Sequence, residues 1–179
     1  MPRTATYSLI ASYTVPSATS SYTFSSIPGT FTDLLLIANM QGSASAYNNM
    51  AYPLIRFNSD SGTNYSYTEI FARNTGGGET AVSSRASNID GIKTIANTST
   101  VFSPNIFQVL DYANATTYKT ALNRGNGNNG TTNVDGTQAL VGMWRNTAAI
   151  TSITIYAGGG NNLVAASTFK LYGIQAGNA

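Results

Sequence analysis

The chain has 179 residues, enough for one domain with a full core, and only 9% of them are charged against about 25% in an average globular protein. Seven acids oppose nine bases for a net charge of +2, and there is no cysteine and no histidine. This excludes a disulfide scaffold, a Cys/His metal centre and a His-based hydrolytic triad, while 11 Tyr, 7 Phe and one Trp argue against disorder.

Lys and Arg are scattered singly from Arg3 to Lys170, so no stripe exists to neutralise phosphates and no nucleic-acid partner is expected. The longest purely apolar run, Leu34 to Ala38, is far short of the roughly 20 residues that cross a membrane. The start, MPRTATYSLIASYTV, lacks the apolar segment of a signal peptide, so a soluble chain made without a secretion signal is expected.

From Thr6 to Val15 apolar and polar residues alternate, with Tyr7, Leu9, Ala11, Tyr13 and Val15 on one face, the pattern of a half-buried strand. Pro16 and a Ser-rich stretch break it. Tyr22 to Phe24 begins a short second strand that ends before the turn signal Pro28-Gly29. Asp33 to Gln41 (DLLLIANMQ) is the most apolar run and predicts a central strand covered on both faces. After a soft loop, Gly42 to Asn49, Leu54 to Phe57 and Tyr65 to Phe71 flank the polar stretch Asn58 to Asn64 and predict a hairpin with a long tip. Arg73 to Arg85 holds Gly76-Gly77-Gly78 and predicts an exposed loop.

Asn88 to Ile95 and Thr100 to Phe102 are weak strand signals. Asn105 to Tyr112 and Tyr118 to Arg124 are stronger ones, joined by a turn at Ala113 to Thr117. GNGNNGTTN, Gly125 to Asn133, predicts a hairpin tip, and Thr137 to Arg145 leads into a last pair of strands. Ile150, Ile153 and Ile155 lie in the first of these and Phe169, Leu171 and Tyr172 in the second, with Gly158 to Asn162 between them. No stretch carries a sustained 3.6-residue period with a cap. The sum is a single all-β domain over residues 1–179, a jelly-roll-like antiparallel β-sandwich of about nine or ten short strands with little or no helix.

The chemistry available is thin. Paired carboxylates for glycoside hydrolysis would have to come from Asp33, Asp60, Glu69, Glu79, Asp90, Asp111 and Asp135, none of which sits in a telling motif, so no enzyme is expected. Asp60 with Asn58 and Asn64 could supply oxygens to calcium, but the loop lacks the charge density of a calcium motif and reads as a polar tip. No metal and no cofactor is expected. Four Asn-X-Ser/Thr triplets, at Asn64, Asn97, Asn114 and Asn129, read as products of an Asn-, Ser- and Thr-rich composition. Trp144 beside Arg145 offers a sugar platform, against the more ordinary fate of a lone Trp at a strand end, which is packing. Tyr47 and Tyr52, flanking Asn48 and Asn49, suit an exposed contact, because a Tyr loses little entropy when fixed. The candidate contacts, to protein or glycan, are therefore Tyr47, Asn48, Tyr52 and Trp144.

Five phrases, SYTFSSIPGTFTDLLLIANMQG (Ser21 to Gly42), LIRFNSDSGTNYSYTEIFA (Leu54 to Ala72), DYANATTYKT (Asp111 to Thr120), WRNTAAITSITIY (Trp144 to Tyr156) and STFKLYGIQA (Ser167 to Ala176), carry a resemblance. Together they resemble the β-sandwich virion-surface proteins of tailed bacteriophages, which include capsid decoration or cement proteins and tail-fibre tips. The resemblance covers most of the chain in strand and turn phrases and brings no catalytic motif. It implies a non-enzymatic structural protein at the virion surface, most simply the capsid exterior, holding the major capsid protein or other virion proteins, and it implies a homotrimer. No helical or collagen-like shaft precedes the domain, which leans towards a stand-alone accessory protein. The alternative is a tail-fibre or head-fibre module that binds host surface glycans through its loop tips, Ala72 to Ser84 and Gly125 to Asn133, or through Tyr47, Tyr52 and Trp144.

Overall fold

The computed structural model describes residues 6–43, 53–73, 80–84, 91–93, 101–127 and 136–175. Every regular element among them is a strand, and no helix occurs there. In chain order these are β1 (Tyr7–Thr14), β2 (Ser21–Phe24), β3 (Asp33–Met40), β4 (Pro53–Phe57), β5 (Tyr65–Arg73), β6 (Thr80–Ser84), β7 (Ile92–Lys93), β8 (Ser103–Leu110), β9 (Lys119–Gly127), β10 (Gly136–Trp144), β11 (Ile153–Ala157) and β12 (Thr168–Ile174). They form an eight-stranded sheet, β1-β12-β3-β8-β9-β10-β5-β6, and a four-stranded sheet, β2-β11-β4-β7, with every pairing antiparallel. The inner faces of the two sheets share one apolar core, so the fold is an all-β sandwich.

The winding is regular. β1, β2, β3 and β4 pair in reverse order with β12, β11, β8 and β7, and these pairs fall alternately in the large and the small sheet. The result is one long antiparallel hairpin rolled upon itself and closed where β12 meets β3 and β11 meets β4. The pairs β5-β6 and β9-β10 interrupt this hairpin and widen the large sheet beyond β8.

Two expected hairpins are replaced by crossings between sheets. β11 and β12 do not pair with each other, nor do β4 and β5, because in each case one strand belongs to the small sheet and the next to the large one. Period-2 patterning tells which residues share a face but not which strand lies alongside, and the polar connections are long enough to span the roughly 10 Å between layers. Leu163, fully buried, anchors the crossing from β11 to β12 by exchanging backbone hydrogen bonds with Thr19 at 2.7 and 3.1 Å. The strand count also exceeds nine or ten: β6 lies in the stretch expected as a loop and β7 within the weak signal at 88–95, while of the weak signal at 100–102 the described residues Val101 and Phe102 lie outside any strand.

β1 departs from its alternation. Leu9 faces Tyr172 and Ala11 faces Leu171, leaving Ile10 as an extra residue, a β-bulge. One inserted residue exchanges the two faces of a strand. Ala11, Tyr13 and Val15 therefore turn inward, whereas Tyr7 and Leu9, expected beside them, are 56% and 57% exposed.

The core centres on Phe57 of β4, which reaches from the small sheet to Phe107, Tyr65 and Trp144 of the large one at ring distances of 6.4, 6.3 and 5.6 Å. At the opposite edge Tyr13 stacks on Tyr22 at 3.7 Å and joins β1 to β2. Burial of these rings together with the aliphatic core around them stabilises the sandwich without recourse to charge.

Candidate interaction surface

The two outer faces of the sandwich differ in kind. On the small sheet, Thr23 and Thr154 share a hydrogen bond of 2.9 Å and the Arg56 guanidinium lies 4.0 Å from the centre of the Tyr156 ring. Such a surface is already matched to water.

The large sheet is the reverse. Its strands β3, β8 and β10 are apolar in both phases of the alternation, so filling the core with Leu34, Leu36, Phe107, Val109, Leu140 and Trp144 leaves a second apolar set pointing outward. Pairing aligns that set in rows. One row runs Leu9, Tyr172, Leu35, Gln108, Leu122, Val141, Thr68; the next runs Lys170, Ile37, Ile106, Arg124, Ala139, Ile70. Ile70 is 60% exposed, Leu9 57%, Tyr7 56% and Val141 53%, with Ile37, Ile106 and Met143 near 40%. Between β5, β10 and β9 the face dips into an open groove of about 370 Å³ lined by Thr68, Ile70, Leu122, Arg124, Ala139 and Val141.

Charge on these rows is sparse. Lys170 and Arg124 bracket the Ile37–Ile106 pair and are exposed. Asp33, at the start of β3, is spent within the chain: its carboxylate accepts from the Asp111 N–H at 2.8 Å and from Gln108 Nε2 at 3.2 Å.

Of the four expected contact residues only Trp144 is among the described ones. Tyr47, Asn48 and Tyr52 lie outside the described residues. Trp144 is 1% exposed, so it is a core residue and not a surface contact, which removes it as a sugar platform; its indole N–H donates to Asp60 Oδ2 at 2.7 Å. The Asp60 carboxylate is engaged within the chain and also accepts from Asn64 Nδ2 and the Gly62 N–H at 2.9 and 2.8 Å. Asn58, in the left-handed region at φ 51°, clamps the approach to β11: its Oδ1 accepts from the Thr151 and Ser152 N–H groups and its Nδ2 donates to the Ala149 carbonyl. Both belong to a polar turn, the plainer of the two sequence readings. Among the described residues no group of three or more Asp or Glu gathers to hold a metal. Glu79, Asp90 and Asp135 lie outside them.

No family model matches the chain, and no curated protein or solved structure is detectably similar to it.

Two buried polar features complete the interior. Lys119, fully buried, donates from Nζ to the Thr117 and Thr147 carbonyls at 2.7 and 3.0 Å; desolvation pushes its pKa below the ordinary lysine value, against the pull of Asp111. Further along the inner face, Asn105 and Gln138 flank Gly125, with Asn123 diagonal to both. The carbonyl oxygens of these three amides and the Ser103 hydroxyl have no hydrogen-bond partner in the protein.

Sequence reading did not single out the outward row of Leu9, Ile37, Ile70, Ile106 and Val141. Its signal is the near-continuous apolar character of β3, β8 and β10, which in a strand means burial on both faces. One of those faces remains open in the single chain.

Proposed function

We propose that the protein is a non-enzymatic structural component of a bacteriophage virion, a capsid decoration or cement protein that lies on the shell surface as a homo-oligomer. The reading starts from the resemblance of five strand and turn phrases between Ser21 and Ala176 to virion-surface β-sandwich proteins. The observation that carries it is the broad apolar outer face of the eight-stranded sheet, set against a four-stranded sheet whose outer face is polar. A protein with one wet side and one apolar side suits a layer laid over neighbouring subunits, held by burial and shape with little charge to desolvate. Stabilisation by such a layer is mechanical and needs no reacting group.

We read the rolled hairpin as a jelly roll, eight strands in two sheets with an added β5-β6 and β9-β10 extension. A homotrimer is the oligomer this reading favours, with the major capsid protein as the principal partner. The deciding measurement is copy number per particle relative to the major capsid protein, by quantitative mass spectrometry of purified virions. Hundreds of copies are expected. A few to a few dozen would instead put the protein at the vertices, neck or tail and move a receptor-binding role to first place.

A further inference from the structure

We propose that the outer face of the eight-stranded sheet is the surface through which copies of this chain pack on one another. The proposal deepens the structural reading and rests on it for its setting, but its physical argument is independent.

Area comes first. Seven large apolar side chains on this face are 39 to 60% exposed, leaving on the order of 700 Å² of apolar surface in water, whereas the largest exposed patch of an ordinary monomer is roughly 300–600 Å². A stable interface of standard size takes about 800 Å² from each partner. Half-buried Leu35, Leu122 and Tyr172 lie in the same rows, so the patch is continuous across the sheet from β1 to β5. One such face therefore supplies one side of an interface without help from any loop.

Charge then selects the occupant. A partner of different composition is ordinarily recognised through complementary charge. Among the described residues this face offers two cations, Lys170 and Arg124, and Asp33, the acid at its edge, is already occupied by Asp111 and Gln108. Both cations are exposed and bracket the Ile37–Ile106 pair, so two copies of the face would meet with an offset that keeps these like charges apart. What remains is shape and apolar area, which a second copy of the same face supplies in a twofold pair; a trimer would instead set this face against a different surface of its neighbour. The same face explains why β3, β8 and β10 are apolar in both phases: in the assembly they are covered on both sides, in the chain alone on one.

The test is sedimentation velocity on the full chain across a concentration series, beside the double variant Ile106→Lys/Val141→Lys. Both positions point outward, so the variant is expected to stay folded, with a melting temperature that no longer rises with protein concentration as the wild type's does, while self-association weakens at least tenfold. Single Ile106→Ser and Val141→Ser variants, with smaller losses in the same direction, guard against misfolding of the double one. A wild-type chain monomeric at about 100 µM, or a folded double variant that associates like wild type, would overturn the proposal. If the chain is monomeric yet present at hundreds of copies per virion, and the double variant is lost from particles, the face belongs to the shell and the proposal fails while the structural reading survives. A chain that associates through this face but is absent from virions supports the proposal and sinks that reading.

Discussion

The Trp144 indole N–H donates to Asp60 Oδ2 at 2.7 Å, tying the end of β10 to the turn after β4 across 84 residues. The same turn holds Tyr65, whose hydroxyl accepts from the Phe57 N–H at 3.0 Å and donates to the Asp60 carbonyl at 3.1 Å. Trp144, Tyr65 and Phe57 are among the largest rings of the core, so one carboxylate fixes the rotamer of one ring while its own backbone fixes another. Asp60→Ala would leave a buried indole N–H without its acceptor, a loss of about 1–3 kcal/mol. At roughly 2–4 °C per kcal/mol for a domain of this size, the melting temperature should fall by several degrees. An unchanged melting curve would show that the turn does not anchor the ring.

The same carboxylate sets an acid limit. Burial works to raise the Asp60 pKa, but hydrogen bonds from Asn64, Trp144 and Gly62 and the nearby Arg56 charge outweigh it and hold the group below its ordinary 3.8. A carboxyl with a depressed folded pKa binds its proton more readily in the unfolded chain, so its stabilising contribution is complete above 3.8 and is lost as pH falls through the folded value. Asp60→Asn should therefore be less stable than wild type near neutral pH, with the gap closing below 3.8. Urea midpoints for both proteins at about pH 6 and pH 3 measure this, and a gap of constant size would refute it.

How far the sequence discloses this architecture depends on which interactions are local. β3, β8, β9 and β10 are legible because their own apolar runs and the turn at Ala113 to Thr117 specify them; Asp111 at φ 48° and the Asn114 side chain, accepting from the Thr116 and Thr117 N–H groups, build that turn from neighbouring residues. Pairing partners are not local. Nothing near Ile153 tells that its neighbours are Phe24 and Phe57, more than ninety residues earlier. The bulge at Ile10 is likewise invisible in the alternation it reverses, because it is set by register against β12. Trp144 shows the same limit at the level of a site. A Trp-Arg pair at a strand end is compatible with a sugar platform or a buried anchor, and the deciding partner, Asp60, lies 84 residues away.

Gly142 of β10 shows how closely the two layers meet. A Cβ built there would lie 2.7 Å from Cγ2 and 2.9 Å from Cδ1 of Ile92, the fully buried residue of β7. Gly142→Ala should cost about 1–3 kcal/mol by forcing β7 away from the large sheet. If contact with Ile92 is the cause, Ile92→Val or Ile92→Ala in the same chain should restore part of the loss, a coupling that a double-mutant cycle reads directly. Strictly additive losses would place the cause elsewhere.

Asn123 is the interior position where a substitution should help. It points inward from β9, 1% exposed, paired across the strands with Phe107 and Leu140, and neither Nδ2 nor Oδ1 finds a hydrogen-bond partner in the protein. A buried amide with no partner loses its hydration without return, at about 1–3 kcal/mol. Leucine has nearly the same shape, keeps the strand's inward volume and brings apolar contact to two apolar neighbours. Asn123→Leu should therefore raise stability by about 1–2 kcal/mol, read as a higher urea midpoint with an unchanged slope. Asn123→Ala separates the two contributions, since it removes the amide but opens a cavity, and should fall below the leucine variant. A leucine variant less stable than wild type would mean that the amide is satisfied by solvent inside the sandwich, and that the polar layer around Gly125 is a hydrated part of the fold.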